Sequence, residues 1–96
     1  MSKHPNIETF LQRMANVPVG YGEGMFLGKR YGTTATVSKD GKRRKLFARE
    51  LGGNDIISFN LYILDGGNPR LKPCEMSSDK VIDFVLGYEP FDDALI

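Results

Sequence analysis

The dipeptide Asp40-Gly41 constrains this chain more than any other feature, because it separates two runs that alternate in polarity, Tyr31 to Lys39 and Lys42 to Leu51. In that setting Asp-Gly signals a β-hairpin: a two-residue type I′ loop needs positive φ at both central residues, and Asp and Gly are the residues that tolerate it. Such a loop also sets the register. Lys39 is expected opposite Lys42, Ser38 opposite Arg43, Val37 opposite Arg44, Thr36 opposite Lys45, Ala35 opposite Leu46, Thr34 opposite Phe47 and Thr33 opposite Ala48. These pairs sort onto two faces. Thr33, Ala35, Val37, Leu46 and Ala48, with Arg44 near the turn, can enter a core, while Thr34, Thr36, Ser38, Arg43, Lys45, Phe47 and Arg49 make a basic face around one aromatic ring.

The flanking segments supply more strands and two helices. Ile7, Phe10, Leu11 and Met14 recur at helical spacing, with Asn6 as the N-cap of a short amphipathic helix. Five glycines between Gly20 and Gly32 surround Met25-Phe26-Leu27, which reads as a loop leading into or through an irregular edge strand. After Gly52-Gly53-Asn54, the run from Asp55 to Leu64 directs Ile57, Phe59, Leu61 and Ile63 inward and Ser58, Asn60 and Tyr62 outward. Asp65-Gly66-Gly67-Asn68 is a turn, and Arg70-Leu71-Lys72 a short last strand halted by Pro73. Ser77 or Ser78 caps a second helix whose stripe is Val81, Ile82, Val85 and Leu86, closed by Gly87. The expected fold is α+β: an antiparallel meander of four or five strands with an N-terminal and a C-terminal helix packed on one sheet face. One domain is expected over residues 1–88, followed by an acidic tail over 89–96.

At 96 residues the chain has room for one domain and none for a multidomain enzyme. Its 13 basic and 12 acidic side chains nearly cancel, but they are segregated. Residues 29–49 hold eight cations against Asp40 alone, and residues 50–96 hold nine acids against Arg70, Lys72 and Lys80. Segregation of this kind bears on partners rather than on fold. A hydrophobic fraction of 41% excludes wholesale disorder. Cys74, the single cysteine, has no partner for an internal disulfide, which fits a reducing compartment. No apolar run reaches the roughly 18 residues of a membrane span, and Met1-Ser2-Lys3-His4-Pro5 lacks the apolar core of a signal peptide. The expectation is a cytoplasmic protein that does not enter a membrane.

If the meander is antiparallel, Arg43, Lys45, Arg49, Arg70 and Lys72 share the uncovered sheet face with Phe47 and Tyr62, and Ser58 and Asn60 lie between them. Cations that follow phosphates, interleaved with rings that stack on bases, suit a single-stranded nucleic acid. The candidate binding residues are therefore Arg43, Lys45, Phe47, Arg49, Asn60, Tyr62, Arg70 and Lys72. The competing explanation is a solvated face that keeps the protein soluble, against which stands the size of the local cationic excess.

Catalytic readings find less support. Cys74-Glu75-Met76-Ser77 precedes a helix, and its C-x-x-S spacing is similar to that of monothiol glutaredoxin-like sites, implying a thiol-dependent activity at Cys74 as a minor alternative. The parallel strand and crossover helix of such a site are missing. Gly28-Lys29 lacks the first glycine and the Ser/Thr of a P-loop, with Glu23 and Arg30 in their places. One histidine, His4, and one cysteine assemble no zinc set, so neither metal nor cofactor is expected.

The order of four strands and one helix, the basic first hairpin, and Leu71-Lys72-Pro73 running through Met76-Ser77-Ser78 into the helix Asp79 to Leu86 resemble the positive cofactor four (transcriptional coactivator) family. The resemblance covers residues 31–88 and implies a small homodimer that binds single-stranded DNA through strand side chains. The family's Lys and Gly after Leu-Lys-Pro are Cys74 and Glu75 here. Phe91-Asp92-Asp93 before Ala94-Leu95-Ile96 is similar to the acidic, apolar-tipped tails of bacterial single-stranded-DNA-binding proteins, which implies a protein partner for the tail. The expected function is thus a non-catalytic module for single-stranded DNA or RNA. The alternative is a protein-interaction or self-associating module that pairs basic and acidic halves.

Overall fold

The computed structural model describes residues 7–91. Helix α1 spans Ile7–Asn16 and is followed by strands β1 (Gly20–Phe26), β2 (Lys29–Val37), β3 (Arg43–Glu50) and β4 (Ile56–Leu64). A 3₁₀ turn at Asp65–Gly67 leads to β5 (Asn68–Pro73), α2 (Ser78–Gly87) and the short β6 (Glu89–Pro90). The sheet is antiparallel throughout and has six strands in the order β5-β4-β3-β2-β1-β6. It is an α+β fold, with two strands more than the four that the alternation pattern marks clearly.

The β2–β3 register is the expected one: Thr33 pairs with Ala48, Ala35 with Leu46 and Val37 with Arg44. The turn that produces it is different. Among the described residues other than glycine, only Leu27 and Glu75 have positive φ, so Asp40 does not adopt the type I′ conformation. Instead the Gly41 N–H donates to Ser38 O at 2.9 Å, and Gly41 alone is left-handed, at φ 74°. Ser38 N–H donates to Arg43 O at 2.8 Å, which leaves Lys39 and Lys42 in a four-residue loop instead of opposite each other in the ladder. Lengthening the loop by one residue on each side preserves the register. The Asp40 carboxylate organises this loop, accepting from Ser38 Oγ at 2.6 Å and from Lys42 N–H at 2.9 Å. Those bonds, the one from Ser38 foremost, hold its carboxyl below the usual carboxylate range.

The glycine-rich segment is where expectation and structure part most. Residues 20–26 form a regular strand paired with β2 from Gly20–Ala35 to Phe26–Lys29. The two-residue loop between them, Leu27-Gly28, has φ of 52° and 77°, so positive φ at both loop residues occurs here rather than at Asp40-Gly41. Glycine is required inside β1: a Cβ on Gly24 would collide with the backbone of Glu89 and Pro90 and with the Tyr88 ring. Glu89 and Pro90, the first residues of the stretch read as a tail, pair with Met25 and Gly24. Residues 92–96, and Asn6 with its expected capping role, lie outside the described residues.

One sheet face packs against both helices. Phe10, Leu46, Ile57, Phe59, Leu61, Val81, Phe84 and Val85 are among the fully buried side chains. Phe84 is central, with ring centroids 4.9 Å from Phe26, 5.1 Å from Tyr31 and 5.0 Å from Tyr88. Ser77 caps α2, its Oγ accepting from Lys80 N–H at 3.1 Å. The helix is also tied to the sheet by Asp55, whose carboxylate accepts from Tyr31 Oη and from Lys80 Nζ, each at 2.8 Å. The Lys80 ammonium holds the Asp55 carboxyl below the usual range, and burial together with Asp55 pushes the Tyr31 phenol far upward.

Candidate functional site

Among the described residues the opposite sheet face carries no helix, and strict alternation decides what stands on it. In β3 Leu46 and Ala48 are buried, so Arg43, Lys45, Phe47 and Arg49 point to the other side and are exposed. In β4 Ile57, Phe59 and Leu61 are buried, leaving Ser58, Asn60 and Tyr62 half-exposed on the open face. In β5 Leu71 turns inward, and Arg70 and Lys72 are exposed outward. All eight candidate residues therefore share one surface.

Register then arranges them in rows across the strands. Arg43 pairs with Tyr62, which pairs with Arg70; Lys45 pairs with Asn60, which pairs with Lys72. Each row reads cation, neutral, cation. The central strand β4 supplies a floor of one aromatic ring and one amide, and β3 and β5 supply cationic walls two strand spacings, or about 9.6 Å, apart. Phe47 and Arg49 continue the β3 wall without a cation opposite. The Phe47 row passes through Ser58, whose carbonyl accepts from Cys74 N–H at 2.9 Å, and Arg49 pairs with Ile56.

Nothing among the described residues neutralises these cations. The ion pairs join Lys29 to Glu50, Arg30 to Glu23 and Lys80 to Asp55, and none involves Arg43, Lys45, Arg49, Arg70 or Lys72. Five cations on one face of a small domain, unpaired among the described residues, are a phosphate-scale charge source rather than a salt-bridge lattice.

A depression of about 310 Å³ lies at the hairpin end of this face, lined by Thr36, Val37, Ser38, Arg43, Lys45 and Asn60. Thr36 extends the second row by one strand, opposite Lys45.

One aromatic group on this face escapes the sequence reading. Tyr21 pairs with Thr34, itself opposite Phe47, and is 64% exposed. Its ring lies over Gly32, where a Cβ would come within 2.6 Å of Tyr21 Oη. Tyr21 Oη donates to Glu23 Oε2 at 3.0 Å, and Glu23 pairs with Arg30 at 3.1 Å. The bond to Glu23 raises the Tyr21 phenol above its ordinary value. The spacing Tyr21-x-Glu23-x-Met25 is the signal that was available, hidden by glycines at the inward positions. Arg30 in turn stacks on Phe91, 5.2 Å from its ring centroid.

Cys74 is exposed at the end of β5, in the row of Phe47 and Ser58. Among the described residues no cluster of His, Cys, Asp and Glu is placed to hold a metal ion, and no helix is long and apolar enough to cross a membrane. Comparison with protein-family models, curated proteins and solved structures finds no match to this chain.

Proposed function

We infer that the open sheet face binds single-stranded nucleic acid, without catalysis. The observation that carries this reading is the pair of rows Arg43–Tyr62–Arg70 and Lys45–Asn60–Lys72, in which unpaired cations flank a neutral, ring-bearing strand. Arg43, Lys45, Arg49, Arg70 and Lys72 contact phosphates, Tyr62 and Phe47 stack on bases at about 1–3 kcal/mol per base, and Asn60 hydrogen-bonds a base edge. A duplex presents its bases only at groove edges, so exposed rings on a sheet favour a single strand whose bases can be splayed onto them. The resemblance of residues 31–88 to the positive cofactor four family supports the same reading. At the junction where that family has glycine, Glu75 adopts φ 61°, a backbone conformation that glycine adopts freely.

The test is a salt series of oligonucleotide binding by fluorescence anisotropy. Each neutralised phosphate contributes a slope of about −0.7 in log K against log salt, so engagement of all five cations gives about −3.5. Arg43→Glu with Lys45→Glu should abolish binding at low salt while the circular dichroism spectrum stays unchanged. A flat salt dependence, or equal affinity of that double variant, overturns the reading.

A further inference from the structure

The depression at the hairpin end shares Arg43, Lys45 and Asn60 with the channel along β4 but extends across β3 to Thr36 on β2, beyond the channel's own rows. Its volume of about 310 Å³ stands at the lower limit of small-molecule sites, which run from about 300 to 1,000 Å³. Its polar lining comes from three strands: Thr36 on β2, Arg43 and Lys45 on β3, and Asn60 on β4, all residue types that can donate to an anion. Ser38 contributes rigidity instead of a free donor. Its Oγ gives its proton to Asp40 Oδ1 at 2.6 Å and accepts from Arg43 N–H at 3.1 Å, so the wall is fixed before any ligand arrives. The Asp40 charge is turned to Ser38 and the Lys42 N–H, and Asp40 is not among the lining residues.

We propose that this depression holds a phosphate monoester carried by a nucleotide, either the phosphorylated end of a strand lying in the β4 channel or a free mononucleotide. The identity of the anion rests on the nucleic-acid reading of the open face; the charge and donor set do not. Two cations two residues apart on β3 face one concavity, which suits the −1.5 to −2 charge of a monoester better than the single charge of a backbone diester. Its place at the end of the sheet, beside the β2–β3 loop, suits a terminal group better than a chain passing through. Thr36 and Asn60 satisfy the remaining phosphate or ribose oxygens.

The experiment compares oligonucleotides of one sequence carrying a 5′-phosphate, a 3′-phosphate or only hydroxyl ends, together with adenosine monophosphate and inorganic phosphate, against ¹⁵N-labelled protein. A phosphorylated end should bind about tenfold more tightly than a hydroxyl end at low salt, the equivalent of one charge-assisted contact, and should shift the Thr36 and Val37 amides. Thr36→Val should bring that ratio towards one, whereas Arg70→Glu should lower both affinities and leave the ratio intact. Mononucleotide shifts at Thr36 without any end preference assign the pocket to the free nucleotide. The same shifts without oligonucleotide binding uphold the pocket and overturn the nucleic-acid reading. Equal affinities for all ends, with Thr36 silent to mononucleotide and phosphate, overturn this proposal while leaving the channel reading untouched.

Discussion

Leu27 shows how a single residue can work against the element it belongs to. It occupies the first position of the Leu27-Gly28 loop at φ 52°, and it is 80% exposed. Left-handed backbone costs an L-residue with a Cβ about 1–2 kcal/mol, and an exposed leucine recovers almost none of that by burial. Asn-Gly is the favoured dipeptide for this turn because Asn tolerates the conformation without the extra chain entropy of glycine. Leu27→Asn should therefore stabilise the protein by about 1 kcal/mol, which for a domain of this size raises Tm by about 4–8 °C. Thermal denaturation followed by circular dichroism measures it, and a lower Tm would show that Leu27 makes a contact that outweighs the strain. Oligonucleotide affinity should not change, since the β1–β2 loop and the Asp40 loop lie at opposite ends of the nine-residue strand β2.

At the level of elements, β5 guards the edge of the sheet. Cys74 donates its N–H to Ser58, so by antiparallel alternation Lys72 and Arg70 also bond towards β4, and Pro69, Leu71 and Pro73 point their backbone nitrogens outward. Two of those three positions are proline and offer no donor, which blocks continuation of the sheet into a second copy. Pro69→Val with Pro73→Val should expose a complete edge and produce concentration-dependent self-association in sedimentation velocity; a species that stays monodisperse would mean that the prolines do not protect the edge. The same periodicity explains what was legible beforehand. Strands β3 and β4 alternate cleanly, so their inward sets and six of the eight outward candidates follow from residue type alone, and Leu71 between Arg70 and Lys72 gives the other two on β5. Loop conformation does not follow, because a two-residue and a four-residue loop give one register. Strand β1 is concealed for a different reason: its inward positions Gly22 and Gly24 carry no side chain, and with them Tyr21 disappears from the predicted face. That Lys45 and Asn60 share one face was visible in sequence, whereas their pairing in one row and the concavity that joins them to Thr36 depend on how the strands align and twist together.

Over the whole molecule, strand alternation gathers five cations from β3 and β5, unpaired among the described residues, on the sheet face that α2 leaves open. A face built to attract phosphates repels itself when it is empty. Lys45 stands about 6.8 Å along β3 from Arg43 and about 9.6 Å across the sheet from Lys72, separations worth about 0.6 and 0.4 kcal/mol of repulsion at the dielectric constant of water. Lys45 is exposed and makes no ion pair among the described residues, so removing its charge forfeits little packing. Lys45→Gln should consequently raise the stability of the free protein at low salt by up to about 1 kcal/mol, with the gain fading as the Debye length shortens to about 3 Å at 1 M salt. The same substitution should weaken oligonucleotide binding and reduce its salt slope by about 0.7, one phosphate's share. Denaturant titrations and anisotropy on one preparation measure both, and the opposite signs are the point: a cation retained for folding would lose stability on neutralisation, whereas one retained for a polyanion gains it and loses the ligand.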